Sequence, residues 1–207
     1  MQRFSFALPI VVLFLGLFAF SQVVSPAIGK RAVHSPAPLP SLKLFEENFE
    51  SGGPGWTVEG DFWHVAANAQ CSSVTKTAAY NRWPAACNYF VSGASEGSFT
   101  SPPFVISGIS PVGNELTVSF TYTKDMDAGE IVSFFLVDAF DNGIWSSLPG
   151  PYGSNTSTPQ PVTLTVPNLG FWWGRTAALQ AVIISDGIDD QGLGFNFDNV
   201  LAKKKNF

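Results

Sequence analysis

Charge is scarce in this chain. Charged residues are 13% of its 207 residues, about half the usual share of a soluble domain. Bases are scarcer still. Between Leu44 and Leu201 only Lys76, Arg82, Lys124 and Arg175 are basic, and all 16 acids lie in that stretch, a net charge of −12. Phosphate recognition rests on clustered Lys and Arg, so nucleic acid is excluded as a partner. No segment after Leu44 keeps the three-to-four-residue apolar spacing of an amphipathic helix, which excludes a bundle or coiled coil. No H-E-x-x-H occurs, so a zincin protease centre is excluded. No internal repeat of solenoid length is visible.

Phe (19), Gly (19) and Pro (15) are plentiful instead, the composition of an all-β domain rich in turns. Leu116, Val118, Phe120 and Tyr122 alternate with Thr117, Ser119 and Thr121. Val162, Leu164 and Val166 alternate with Thr163 and Thr165. Phe195 and Phe197 do so with Asn196 and Asp198. This two-residue period predicts half-buried strands. Ile131–Val137 and Ala177–Ile184 are almost continuously apolar and read as strands buried on both faces. Shorter strands are expected at Leu44–Glu50, Phe62–Ala66 and Phe104–Ile106. Gly-, Pro- and Asn-rich separators divide them. The sum is a two-sheet antiparallel β-sandwich of jelly-roll type over 44–201.

The ends differ from this body. Phe6–Phe20 is an apolar run behind Arg3, short for a membrane span and suited to a signal peptide over 1–21. A retained anchor through residues 4–28, tethering the chain to a membrane, is the competing reading. Either way the body is exported, to the medium or the cell surface. Residues 22–43 form a Pro-rich linker, and 202–207 read as a basic tail. Cys71 and Cys87 are the two cysteines. In an exported chain an even count points to one disulfide. A metal site is the rival, weakened by the absence of a nearby His pair.

Specific residues accumulate in a fixed order. They run Phe49-Glu50-Ser51-Gly52-Gly53, Gly55-Trp56, Phe62-Trp63-His64-Val65, Cys71 and Cys87-Asn88-Tyr89. Then come Gly97 to Pro103, Leu116 to Tyr122, Asp141 to Trp145 and Gly194 to Val200. The series resembles the MAM-like jelly-roll modules of secreted bacterial and archaeal proteins, including those appended to immune-inhibitor-A-type metalloproteases. It departs from them at Asn196 and Asp198-Asn199, where the modules carry an aromatic residue and an Asp pair. The resemblance implies a non-catalytic β-sandwich used for attachment or substrate targeting. It also implies a structural Ca²⁺ between a first-strand Glu and a last-strand Asp.

The residues give that cation some support of their own. First and last strands of a closed sandwich are often neighbours, which would bring Glu50 and Asp198 together. Their repulsion would be relieved by a hard cation. Asp186 and Asp189, in the loop before the last strand, are further candidate ligands, although that loop lacks EF-hand spacing. Solvated loop acids are the plain alternative.

Trp83, Trp172 and Trp173 are the candidate ligand-binding aromatics, for an extracellular glycan or a surface protein. Trp56, Trp63 and Trp145 are expected in the core. His64 is read as a hydrogen-bonded structural residue. Asn155-Thr156-Ser157 is a glycosylation sequon. The functional expectation is a secreted or surface-tethered binding module. A glycan hydrolase or lyase on the same scaffold and a structural envelope component are the alternatives, and fold alone does not choose among them.

Overall fold

The structure is a computed structural model. It describes residues 41–206 apart from 69–70, 72, 90–92, 107–113, 142, 151, 153, 167–168 and 189–190. The expected leader, the anchor and nearly all of the linker lie outside the described residues.

Two six-stranded antiparallel sheets face each other. The first has the order β10 (Thr156–Thr165), β7 (Asn114–Asp125), β12 (Gly194–Asn206), β4 (Ser73–Tyr80) and β3 (Trp63–Asn68), with β1 (Leu42–Glu47) also paired to β12. The second has the order β2 (Thr57–Gly60), β5 (Ser95–Thr100), β11 (Thr176–Ser185), β8 (Ile131–Asp138) and β9 (Trp145–Ser147). There β6 (Phe104–Val105) pairs with β11. The chain passes repeatedly from sheet to sheet, so the expected β-sandwich is the observed fold.

The two-residue period explains the core. Leu116, Val118, Phe120 and Tyr122 of β7 point inward, as do Phe195 and Phe197 of β12, Phe134 and Leu136 of β8, and Leu179, Ala181 and Ile183 of β11. Aromatic rings fill the space between sheets. Trp56 stacks on Phe99 with centroids 4.6 Å apart, Trp63 stacks on Phe99 at 5.5 Å, and Phe120 stacks on Phe134 at 4.4 Å. Such pairs add about 0.5–1.5 kcal/mol each beyond their burial. Gly194 opens β12 with φ of 85°, and a Cβ there would lie 2.0 Å from the Tyr80 carbonyl oxygen. No side chain fits at that position.

Three expectations need correction. The segment between the cysteines, absent from the expected strands, contains β4. The boundary at residue 201 is too early, since β12 runs on through Lys203–Lys205 to Asn206. Leu42 faces Lys204 and Lys43 faces Lys203 across β1 and β12. Lys204 is 4% exposed, its ammonium 4.4 Å from the centroid of the Trp173 ring, so its methylene stem lies in the fold while the cation faces an aromatic π surface. Lastly, neither β8 nor β11 is buried on both faces, and Ile184 of β11 is 40% exposed. Ile131 is 54% exposed, and Phe135 and Val137 are half-buried on the outer side.

Candidate functional site

The outer face of the second sheet is one candidate surface. Because Phe134 and Leu136 point inward, Phe135 and Val137 point outward. Phe135 lies opposite Ser147, and Val137 opposite Trp145. Trp145 is 58% exposed and meets Phe135 edge to face, with centroids 5.5 Å apart. The sequence reading placed this tryptophan in the core. The correction is geometric, since β9 is an edge strand and Trp145 falls on its solvent side.

Polar groups continue the same row. Gln180 of β11 faces Phe135 on one side and Thr100 of β5 on the other. Its Nε2 donates to Thr100 Oγ1 at 3.1 Å. One row along, Val182 lies between Ser133 and Ser98, and the buried Ser98 Oγ has no hydrogen-bond partner in the protein. Ile131 and the partly exposed Ile184 close the face. An aromatic ledge beside a fixed carboxamide and hydroxyls can offer stacking and hydrogen bonds side by side.

The sequence-selected residues are scattered. Trp172 is fully buried, and its Nε1 donates to Ser146 Oγ at 2.9 Å. It is a core residue, closing the 3-10 turn Leu169–Trp172 against β9, and its expected ligand role is withdrawn. Trp173 is half-buried under Lys204 near the far end of β12. Trp83 is half-buried beyond the end of β4, bordering a shallow hollow of about 340 Å³ with His64, Asn81 and Arg82. These two tryptophans therefore sit toward opposite ends of β12 and form no common surface.

Cys71 and Cys87 are joined in a disulfide. Asn155 is exposed just before β10, with its Oδ1 accepting from the Met126 amide at 3.1 Å. His64 Nδ1 donates to the Phe62 carbonyl at 3.0 Å. Burial holds its pKa below the ordinary value, and the Phe62 bond opposes that shift. Its Nε2 is buried without a partner in the protein.

The acids separate into two places. Asp198 is raised above the usual carboxylate range, chiefly by burial. The Asn199 amide, donating to its Oδ1, works against this, while the charges of Glu50 and Glu47 add to it. Glu50 and Asp198 therefore sense each other. Glu47, which the sequence reading did not select, belongs with them, and its Oε1 accepts from the Phe49 amide at 2.6 Å. Asp186 does not join this group. Its Oδ1 accepts from the Ile188 amide at 2.9 Å, and a Cβ at Gly129 would lie 2.1 Å from its Oδ2. It thus packs against the loop between β7 and β8. Asp189 lies outside the described residues. Among the described residues no three Asp, Glu, His or Cys side chains converge as a metal cage.

Neither a protein-family model nor a curated protein matches this sequence. Solved structures that resemble it include the K3 cleaved adhesin domain of Lys-gingipain from Porphyromonas gingivalis, at 15% identity and a TM-score of 0.45 over 78% of this chain and 99% of that one. Another is the CBM22-1 xylan-binding domain of Paenibacillus barcinonensis Xyn10C, at 11% identity and 0.44 over 81% and 97%. A cyclase from Fischerella sp. is similar at 10% and 0.42 over 80% and 98%.

Proposed function

We propose that the protein is an exported, non-catalytic binding module that recognises extracellular glycan on the outer face of its second sheet. The observation that carries this reading is the exposed Trp145 held edge-on by Phe135, which itself lies opposite Gln180. An indole fixed by a second ring offers a flat apolar platform to the C–H face of a sugar, with little entropy left to lose. Gln180, Thr100, Ser98 and Ser133 supply hydrogen bonds along the same sheet. The disulfide suits an oxidising compartment. A membrane tether through residues 4–28, with the leader retained, would suit this role, as would the resemblance to MAM-like modules.

Affinity electrophoresis of the purified protein through gels containing xylan, mannan or mixed-linkage glucan tests the reading. Retardation by at least one polysaccharide is expected. Trp145→Ala should weaken it about thirtyfold, the loss of an aromatic anchor of roughly 2 kcal/mol. Phe171→Ala, at an exposed ring on the 3-10 turn, should leave it unchanged. Equal retardation of wild type and Trp145→Ala, or retardation in none of the gels, overturns the proposal. Release of sugar fragments overturns its non-catalytic part.

We infer further that Glu50 and Asp198 hold a structural Ca²⁺, which would relieve their repulsion. Two carboxylates fall short of the six to eight oxygens that calcium takes, so backbone carbonyls and water would complete the shell. Lys76 Nζ already donates to the Glu50 carbonyl at 3.0 Å, placing positive charge beside these acids. Calcium should raise the melting temperature and EGTA lower it, with Asp198→Asn abolishing the difference. A melt indifferent to both reagents removes the cation.

A further inference from the structure

The outer face of the first sheet holds polar groups that the fold leaves unused. Asn196 of β12 lies between the inward rings of Phe195 and Phe197, so its side chain points outward. It is nevertheless only 5% exposed, and Thr77 of β4 only 8%. The Asn196 carboxamide is held in place, because its Nδ2 donates to Thr123 Oγ1 across the β7–β12 pair at 3.3 Å. Its Oδ1 has no partner in the protein, and neither has Thr77 Oγ1. A buried polar atom left unpaired forfeits the hydrogen bonds it made to water and gains none in return. The two residues lie on adjacent strands and line one space, so their unpaired atoms are a liability unless something else engages them.

That space is a pocket of about 310 Å³ lined by Thr75, Thr77, Thr121, Thr123, Asn196 and Asp198. Its size lies at the small end of ligand pockets, enough for one sugar ring and too small for an oligosaccharide. Its chemistry is equally selective. The walls offer hydroxyls, a carboxamide oxygen and a carboxylate, so a ligand must bring several hydrogen-bond donors. A neutral polyol fits this demand, with O–H groups that donate to Asn196 Oδ1 and Asp198 and accept from the threonines.

We propose that this pocket binds a single neutral pyranose ring, on the opposite sheet from Trp145 and independently of the surface there. The test is the amide spectrum of the ¹⁵N-labelled protein, titrated separately with millimolar D-glucose, D-galactose, D-mannose, D-xylose and N-acetylglucosamine. At least one sugar should shift the amides of Thr77, Thr121, Asn196 and Asp198 to saturation. The shifts should persist in Trp145→Ala. Thr77→Val, close in shape to the native residue, should weaken them roughly three- to tenfold by removing one hydrogen bond. Failure of all five sugars to move these amides overturns the proposal. So does movement confined to β8, β9 and β11, which would leave the Trp145 surface standing alone. Shifts produced by calcium and by none of the sugars would make the pocket a cation site and overturn it equally.

Discussion

His64 shows how a single side chain sets a pH dependence. Its ring is half-buried on β3, donates one nitrogen to Phe62 and is held neutral below its ordinary pKa. In the unfolded chain it takes up a proton near pH 6.5, while the folded protein does so only at lower pH. Between those points the unfolded state binds more protons, so stability falls as pH drops below about 6.5 and is fully present above it. The melting temperature should decline from pH 7 to pH 5, and His64→Gln should flatten that decline. Parallel curves for the two proteins would show that the buried ring is not responsible. Trp145 and Trp172 teach a related lesson at the same scale. The sequence reads Trp145 as core and Trp172 as exposed, and the structure exposes the first and buries the second. Their neighbours, Ile144 and Ser146 for one and Phe171 and Trp173 for the other, do not tell which side of the strand or turn meets the core. Exposure is decided by which strand lies at the sheet edge.

Among the elements, those with a clean alternation were legible. The Val and Phe positions of β7 and the Val and Leu positions of β10 announced both the strands and their inward faces. The elements β2, β4 and β5 escaped notice. Their sequences TVEG, SVTKTAAY and SEGSFT are rich in Ala, Ser, Thr and Gly, which carry little hydrophobic contrast. Tyr80 and Phe99 are their main anchors. In β8 the difficulty was the reverse, since apolar residues on both faces hide which face meets solvent. That ambiguity concealed the Trp145–Phe135 ledge. The Asn196–Thr77 pocket was hidden differently, as it depends on three strands far apart in sequence.

The disulfide acts on one of these weakly marked elements, for β4 lies inside the loop that it closes, with a sequence separation of 16. Chain-entropy reasoning assigns such a loop about 3 kcal/mol. Urea denaturation of Cys71→Ser/Cys87→Ser should show a loss of that order. An unchanged midpoint would mean that the link contributes nothing to stability.

The whole molecule depends on its last strand. β12 pairs with β7 along most of its length, with β4 through Phe195–Phe197 and with β1 through Val200–Lys204. It is thus the hub of the first sheet. A basic tail would be dispensable, but residues 202–206 are not. Ala202 is buried at 1% exposure, and Lys204 covers Trp173. Ending the chain after Leu201 strips the partners of Leu42, Lys43 and Phe45 from β1. The truncated protein should lose its cooperative melt and its near-ultraviolet dichroism. Retention of the full-length melting temperature would contradict the central place given to this strand.

The pairing of Leu42 with Lys204 also has a mechanical side. The two residues enter and leave the fold side by side at the same end of an antiparallel ladder. A force pulling them apart acts across the ladder and opens its hydrogen bonds one after another, as a zipper yields. A force between Leu42 and Trp145 passes instead from the first sheet to the second, through the aromatic layer, and so loads contacts that the first pull leaves untouched.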